Sequence, residues 1–378
     1  LFSIFNSIAI SQLFTDEEEL SQPILESQST PLSGWSDRIE IALMPATSAP
    51  NLQVRIPIIV SDDIYGSAKA DGSDVRFYQN DGTLLDHYVE KWDTNSDSII
   101  WVEVRTASTS QIWMDYGNPS ASDISDSSNT FPFFDDFQNL NAWSHYGSPT
   151  PSVFSDSGCN DGWCYSTNGD GSDASGSVSI SSVNIINGVI IEFRVKQLAG
   201  SSPWDMFYDI GLSRLTGGQT EQFRHPLITM GIDGADPDGN SSRAGAVLLT
   251  SCTGSGCTSG IVSADYRQTI NLSMNDYNYH EYALRYDRIN NVAYASEDDI
   301  QFNSINTFNH SITNTSLVIA GRSQTNSNYL DWIRARNYTA TESTASFVFP
   351  ALVANGSPIG TWLKAISIVG QATKMSMT

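Results

Sequence analysis

The stretch Leu52-Gln-Val-Arg-Ile-Pro-Ile-Ile-Val60 decides the fold class. Leu52, Val54, Ile56, Ile58 and Val60 alternate with Gln53, Arg55 and Pro57. Successive side chains of a strand point to opposite sides, so this pattern predicts a β-strand with one buried face. The same alternation returns in Val75-Arg-Phe-Tyr78, Leu85 to Trp92, Ile99 to Val104 and Gln111 to Tyr116. Asp71-Gly72, Asn80-Asp81-Gly82, Asn95-Ser96-Asp97 and Gly117-Asn118-Pro119 separate these runs with turn residues. Helical periodicity is scarce from Arg38 onward. Short strands at this spacing predict a small β-sandwich, with Ser120 to Thr130 as the linker that ends it.

Strand patterns resume in Ser177 to Ser182, Gly188 to Lys196, Ala244 to Thr250, His280 to Tyr286, Asn291 to Ser296, Ser316 to Ala320 and Asp331 to Asn337. They predict a larger sandwich or jelly roll over 131–345. Phe347-Val-Phe349 and Trp362 to Val369, divided by Asn355-Gly356, predict a C-terminal β-hairpin tail over 346–378. The fold class is therefore all-β: a small sandwich at 33–122 and a jelly roll at 131–345, preceded by an apolar segment and linker at 1–32. Two domains suit a chain of 378 residues.

Asp and Glu number 42 against 19 Lys and Arg, a formal net charge of −23. Such a surface repels phosphate backbones and anionic lipid, which argues against nucleic acid and electrostatic membrane docking. No apolar run reaches the roughly 18 residues that cross a bilayer, so no membrane span is expected. A chain opening at Leu1 reads as the processed product of a secreted protein, placed outside the cell or on its surface. Cys159/Cys164 and Cys252/Cys257 are each spaced C-x4-C. Two small disulfide-closed loops fit that oxidising exterior. A four-thiolate zinc site is the alternative, and pairing across the loops stays open.

Trp35 to Arg38, Ser67-Ala-Lys-Ala-Asp-Gly-Ser-Asp-Val-Arg-Phe77, Asp81-Gly82, Trp92-Asp93, Ile100-Trp101-Val102 and Met114-Asp-Tyr-Gly-Asn-Pro119 carry a resemblance. Together, over about 33–122, they resemble the domain of unknown function 2341, a family of secreted and cell-surface proteins of archaea and bacteria. Phe134-Asp-Asp-Phe137, Gly188 to Lys196, Tyr279 to Tyr286 and Tyr329-Leu-Asp-Trp-Ile333 are similar to concanavalin A-like or laminin-G-like jelly rolls. The whole chain thus resembles an archaeal or bacterial surface protein or filament subunit. Neither family implies a reaction, and the jelly-roll resemblance implies that Asp135 and Asp136 contribute to a structural calcium.

Jelly-roll glucanases resembling this fold carry E-x-D-x-x-E on one strand, whereas Glu192, Glu281 and Glu297 each lack such partners. Glu297-Asp298-Asp299 reads as a solvated turn. There is no G-x-S-x-G, H-E-x-x-H, P-loop or G-x-G-x-x-G, so no catalytic residue is assigned and no enzyme is expected. No cofactor is required, and calcium is the metal candidate. Asp233, Asp236, Asp238 and Asn240 crowd hard oxygen ligands and glycines into one loop. An exposed Asx-turn loop is the competing reading, since no bidentate Glu stands at the twelfth position. Trp143, Trp163 and Trp204 fall in predicted loops, as sugar platforms or as caps on the sandwich ends. Asn240, Asn271, Asn309, Asn314, Asn337 and Asn355 are candidate N-glycosylation acceptors.

Leu1 to Phe14 is strongly apolar until Asp16-Glu-Glu-Glu19 breaks it. As a strand it carries Phe2, Ile4, Ile8 and Ile10 on one face, and as a helix Leu1, Ile4, Phe5 and Ile8. The strand reading predicts donor-strand exchange, in which each terminus completes the next subunit's sandwich. Head-to-tail contacts that do not close give a homopolymer. The expected function is then the repeating subunit of a cell-surface filament or pilus-like fibre, serving adhesion or biofilm matrix. A secreted carbohydrate-binding protein with glycan partners is the second reading, and a polysaccharide-acting enzyme the third.

Overall fold

A computed structural model describes residues 30–147, 150–167, 175–197, 206–213, 226–233, 246–251, 266–271, 278–307, 311–322 and 328–349. The assembly residues Phe2, Ile4, Ile8 and Ile10, and the segment Trp362 to Val369, lie outside them.

The first sandwich contains β1 (Asp37–Met44), β2 (Leu52–Ile58), β3 (Arg76–Tyr78), β4 (Leu84–Leu85), β5 (His87–Lys91), β6 (Ser98–Val104) and β7 (Gln111–Tyr116), with a single helical turn α1 (Ile64–Ser67). One sheet runs β1-β7-β3-β4 and the other β2-β6-β5. Leu52, Val54, Ile56 and Ile58 are buried as the alternation predicts, but β2 stops at Ile58 and leaves Val60 45% exposed. Val54, Ile56 and Ile58 share their core with Ile39, Ile41, Phe77, Ile112 and Met114.

Ser120 to Thr130 is packed against this sandwich rather than strung between domains. Arg76 donates to the Ser122 carbonyl at 2.5 Å, Val89 N to Ser125 Oγ at 2.9 Å, and Asp126 N to the His87 carbonyl at 2.9 Å. Asp126 then caps α2 (Ser127–Thr130), accepting from the Ser128 and Asn129 amides. A polar stretch whose groups find partners on the sandwich stays on it.

The second sandwich begins with β8 (Phe133–Asp135), β9 (Trp143–Tyr146), β10 (Ser152–Ser155), β11 (Trp163–Ser166), β12 (Ser175–Asn184), β13 (Val189–Gln197), β14 (Met206–Ser213) and β15 (Pro226–Asp233). It continues through β16 (Ala246–Ser251), β17 (Tyr266–Asn271), β18 (Tyr279–Asp287), β19 (Val292–Glu297), β20 (Ile300–Asn306), β21 (Asn314–Arg322) and β22 (Asn328–Asn337). An eight-stranded sheet, β10-β11-β22-β13-β18-β19-β20 with β8 on β22, covers a seven-stranded one, β17-β16-β15-β14-β21-β12-β9. Ile191, Phe193, Val195, Leu284 and Ile333 of the former meet Ile210, Leu212, Met230, Leu317 and Ile319 of the latter in one core. Neighbouring strands far apart in sequence make this a jelly-roll sandwich, so the all-β, two-sandwich class holds. Asp298 and Asp299 both have positive φ, 45° and 65°, in the tight turn between β19 and β20.

After β22 the chain returns to the first sandwich. β23 (Thr344–Val348) pairs antiparallel with β1, from Met44↔Thr344 to Glu40↔Val348, and extends that sheet at its edge. Ala345 and Phe347 pack onto the first core. The small sandwich is thus assembled from two separate stretches of the chain.

Candidate functional site

β13 buries Ile191, Phe193 and Val195, so Glu192, Arg194 and Lys196 stand on the opposite face of the eight-stranded sheet. Register then builds rows across that face. Glu192 lies between Ala283 and Arg334, Arg194 between Glu281 and Trp332, and Lys196 between Tyr279 and Tyr329.

The first row is covered by the first sandwich. Arg334, with its side chain 5% exposed, contacts Glu90 at 2.7 Å and Glu192 at 2.6 Å, while Arg336 reaches Glu192 at 2.5 Å. The Trp101 ring lies 4.4 Å from the Arg334 guanidinium carbon and 4.7 Å from that of Arg336, and its indole N–H donates to Glu90 Oε2. Tyr88, Phe131 and Phe134 close the seam, with ring centroids 5.0–6.0 Å apart. Burial alone would raise the Glu192 carboxyl, but Arg336 and Arg334 outweigh it and hold it far below the ordinary carboxylate range. Glu192 is therefore a fixed anion neutralised by two guanidiniums, a structural charge rather than a general acid.

The third row is open. Phe154 and Tyr329 have ring centroids 4.7 Å apart, and Lys196 Nζ lies 5.3 Å from the Tyr279 ring and 5.7 Å from that of Tyr329. All four side chains are half-buried. Arg194 spans the second and third rows: its guanidinium carbon stands 4.2 Å over Tyr279, it pairs with Asp331, and it donates to the Gly158 carbonyl at 3.2 Å. Burial raises the Asp331 carboxyl against the lowering effect of the Asn160 N–H and Arg194. Burial, then Asp156 and Asp331, push the Tyr279 phenol up, so it stays a neutral hydrogen-bonding group.

Against this strip packs the loop closed by the Cys159–Cys164 disulfide. Tyr279 Oη lies 3.1 Å from Cys159 Sγ and 3.5 Å from Cys164 Sγ. Gly158 passes so close that a Cβ there would come within 2.8 Å of the Tyr279 ring. The loop thus sets the height of the tyrosine.

The bonded pair removes Cys159 and Cys164 from any zinc site, while Cys252 and Cys257 lie outside the described residues. Asp233 ends β15, and its loop partners Asp236, Asp238 and Asn240 also lie outside. Asp135 has both carboxylate oxygens engaged by protein donors. Its carboxylate accepts from Phe137 N at 2.7 Å and Trp143 Nε1 at 2.6 Å, and burial pushes it up to about 6. Among the described residues no group of three or more His, Cys, Asp or Glu could hold a metal ion. Trp143 is 4% exposed and belongs to the core, which removes it as a sugar platform. Trp163 is exposed, and Trp204 lies outside the described residues. Of the sequon residues, Asn314 is exposed at the start of β21, whereas Asn337 donates its amide to the Asn51 carbonyl at 2.6 Å across the two sandwiches. Asn271 ends β17, and Asn240, Asn309 and Asn355 lie outside.

Residues 71–146 match the family described as a domain of unknown function, DUF2341. The match starts after β2 and runs into β9, whereas the resemblance read from the sequence spans about 33–122. Its motifs meet at one end of the first sandwich. The buried Asp74 accepts from Lys69 N, Gly117 N and Asn118 N at 2.7–2.9 Å, and Arg38 clamps Asp115. No curated protein matches the chain. Among solved structures it is similar to the potassium-bound Emp46p carbohydrate recognition domain, at 10% identity and TM-score 0.40, covering 53% of this chain and 91% of that one. It is also similar to a glycoside hydrolase family 16 endo-glucanase from Bacteroides ovatus, at 17% and 0.35, covering 54% and 99%. Peanut lectin is a third, at 9% and 0.38, covering 58% and 98%. No helix among the described residues is long and apolar enough to cross a membrane.

Proposed function

We propose that the protein is an extracellular carbohydrate-binding protein that seats a neutral glycan across the open strip of the eight-stranded sheet. The observation that carries this reading is the set of half-buried rings Phe154, Tyr329 and Tyr279 on one face, with Lys196 between the tyrosines. Aromatic faces give the C–H side of a pyranose an apolar seat, and surrounding polar groups hold its hydroxyls. Arg194 and Lys196 are offset by Asp331 and Asp156, which favours an uncharged ligand. The disulfide suits an oxidising exterior. The role is binding rather than hydrolysis, because Glu192 is tied to two guanidiniums. Glycan-array binding of the full chain, with and without calcium, tests this. Tyr279→Ala and Tyr329→Ala should each weaken the best glycan at least about tenfold, the loss of one good aromatic contact. A wild-type chain that retains no glycan refutes it.

A filament subunit remains the second reading, for one reason. Among the described residues the outer edge of β23 has no partner strand, and Val348 and Phe349 there are 44% and 47% exposed. An extended apolar segment, Leu1–Phe14 of a second copy, suits such an edge. Negative-stain electron microscopy of the full chain and of the chain lacking Leu1–Phe14 decides. Fibres only from the full chain support polymerisation through that segment, and single particles from both exclude it.

A further inference from the structure

The strip ends where the first sandwich begins. Along β13, Arg194 and Glu192 are two residues apart, about 7 Å at roughly 3.3 Å per residue. The Arg194–Glu281 row therefore abuts the row that Trp101 and Glu90 cover and separates it from the open row. Two carboxylates meet at this boundary, one from each sandwich. Glu90 accepts the Trp101 and Arg334 donors on the same oxygen, Oε2, and its Oε1 has no protein partner among the described residues. Glu281, opposite Arg194 on β18, is solvent-exposed, and its carboxylate has no hydrogen-bond donor among the described residues. Desolvation by the groups packed around its exposed side chain raises the Glu281 carboxyl first, and Glu90 is the largest charge effect upon it. Among the described residues the fold uses neither Glu90 Oε1 nor the Glu281 carboxylate; Glu281 lies beside Arg194, whose guanidinium stands over Tyr279, and Glu90 overhangs the next row inward.

We propose that the glycan site is composite, with the first sandwich as its inner wall and Glu90 and Glu281 accepting hydroxyl hydrogens of a sugar seated on Tyr279. This rests on the carbohydrate reading above. It assigns the first sandwich a part in recognition, since Glu90 reaches the site only when Arg334 and Trp101 hold the sandwiches together. A ligand bounded on one side by this wall lies across the strands, from Tyr279 towards Phe154, rather than along them. Charged acceptors suit vicinal hydroxyls, because a carboxylate bonds them more strongly than a neutral group does.

The test measures dissociation constants of the full chain for the neutral glycan it retains best on the array. Glu90→Gln, Glu281→Gln and Tyr279→Ala are compared, with thermal unfolding of each variant. Glu281 carries no interdomain ion pair, so Glu281→Gln reads recognition without loosening the seam. Both Gln variants should bind about tenfold or more weakly. Glu281→Gln should do so with its unfolding midpoint unchanged. If both bind within twofold of wild type while Tyr279→Ala loses the ligand, the floor alone makes the site and the composite proposal is overturned. If Glu90→Gln alone weakens binding and lowers the midpoint in step, Glu90 acts only through the seam, and the proposal is again overturned. If the wild-type chain retains no glycan, the carbohydrate reading itself falls and takes the wall with it.

Discussion

Replacing Arg334 by Met tests how the two sandwiches are joined. The substitution keeps the side chain's length and apolar stem but removes a buried charge held by carboxylates of both domains. Glu90 then keeps only the Trp101 indole, and Glu192 keeps only Arg336, at 2.5 Å. Removing one partner of a buried pair costs about 3–5 kcal/mol, because the carboxylate left behind is desolvated without compensation. Glu192 retains a guanidinium, which places the loss near the lower end, about 3 kcal/mol. The cation contacts to Trp101 and Trp332, at 4.4 and 4.5 Å, are lost as well. At roughly 2–4 °C per kcal/mol for a domain of this size, the unfolding midpoint should drop by about 10 °C. Differential scanning calorimetry should also resolve two transitions where wild type shows one. Adding Glu90→Gln to Arg334→Met should recover part of the loss, since the carboxylate left without its guanidinium is then gone, while Glu192 still serves Arg336. A drop below about 2 °C with a single transition would refute the view that this node couples the domains.

Three further outcomes are expected. Asp135, raised to about 6 in the folded chain against roughly 4 when unfolded, makes the native state bind the extra proton between those values. Its contribution is therefore fully present below about pH 4 and is lost as pH rises through about 6; Asp135→Asn should flatten that slope in urea titrations, and an unchanged slope argues against the assignment. Gly158→Ala should tilt Tyr279, since the new methyl would stand 2.8 Å from its ring; glycan affinity should fall several-fold with little change in the second core, and unaltered affinity means the loop does not set the tyrosine. Ile8→Asp should abolish fibres if the terminal segment is a donor strand, because a charge would enter an apolar groove unpaired; fibres that persist by microscopy remove Ile8 as the plug.

Alternation alone was enough for the β-class. Leu52 to Ile58, Gln111 to Tyr116 and Gly188 to Lys196 each put one apolar face inward, and a strand with one apolar face must find another to bury it. The local pair Cys159/Cys164 was legible for the same reason, since residues so near in sequence meet without help from the rest of the chain. The strip was not legible. Phe154, Tyr279, Lys196 and Tyr329 come from β10, β18, β13 and β22, and each reads singly as an ordinary strand residue. Only strand order and register bring them onto one face, and these are set by long-range pairing that leaves no local periodicity. The same holds for Trp101 over Arg334 and for β23 beside β1. The sequence by itself determined which faces of the strands are apolar; the tertiary structure alone decided which polar faces are buried between the sandwiches and which stay open. Burial of an apolar face is a local demand of its residues, whereas a polar face depends on what another part of the chain lays over it.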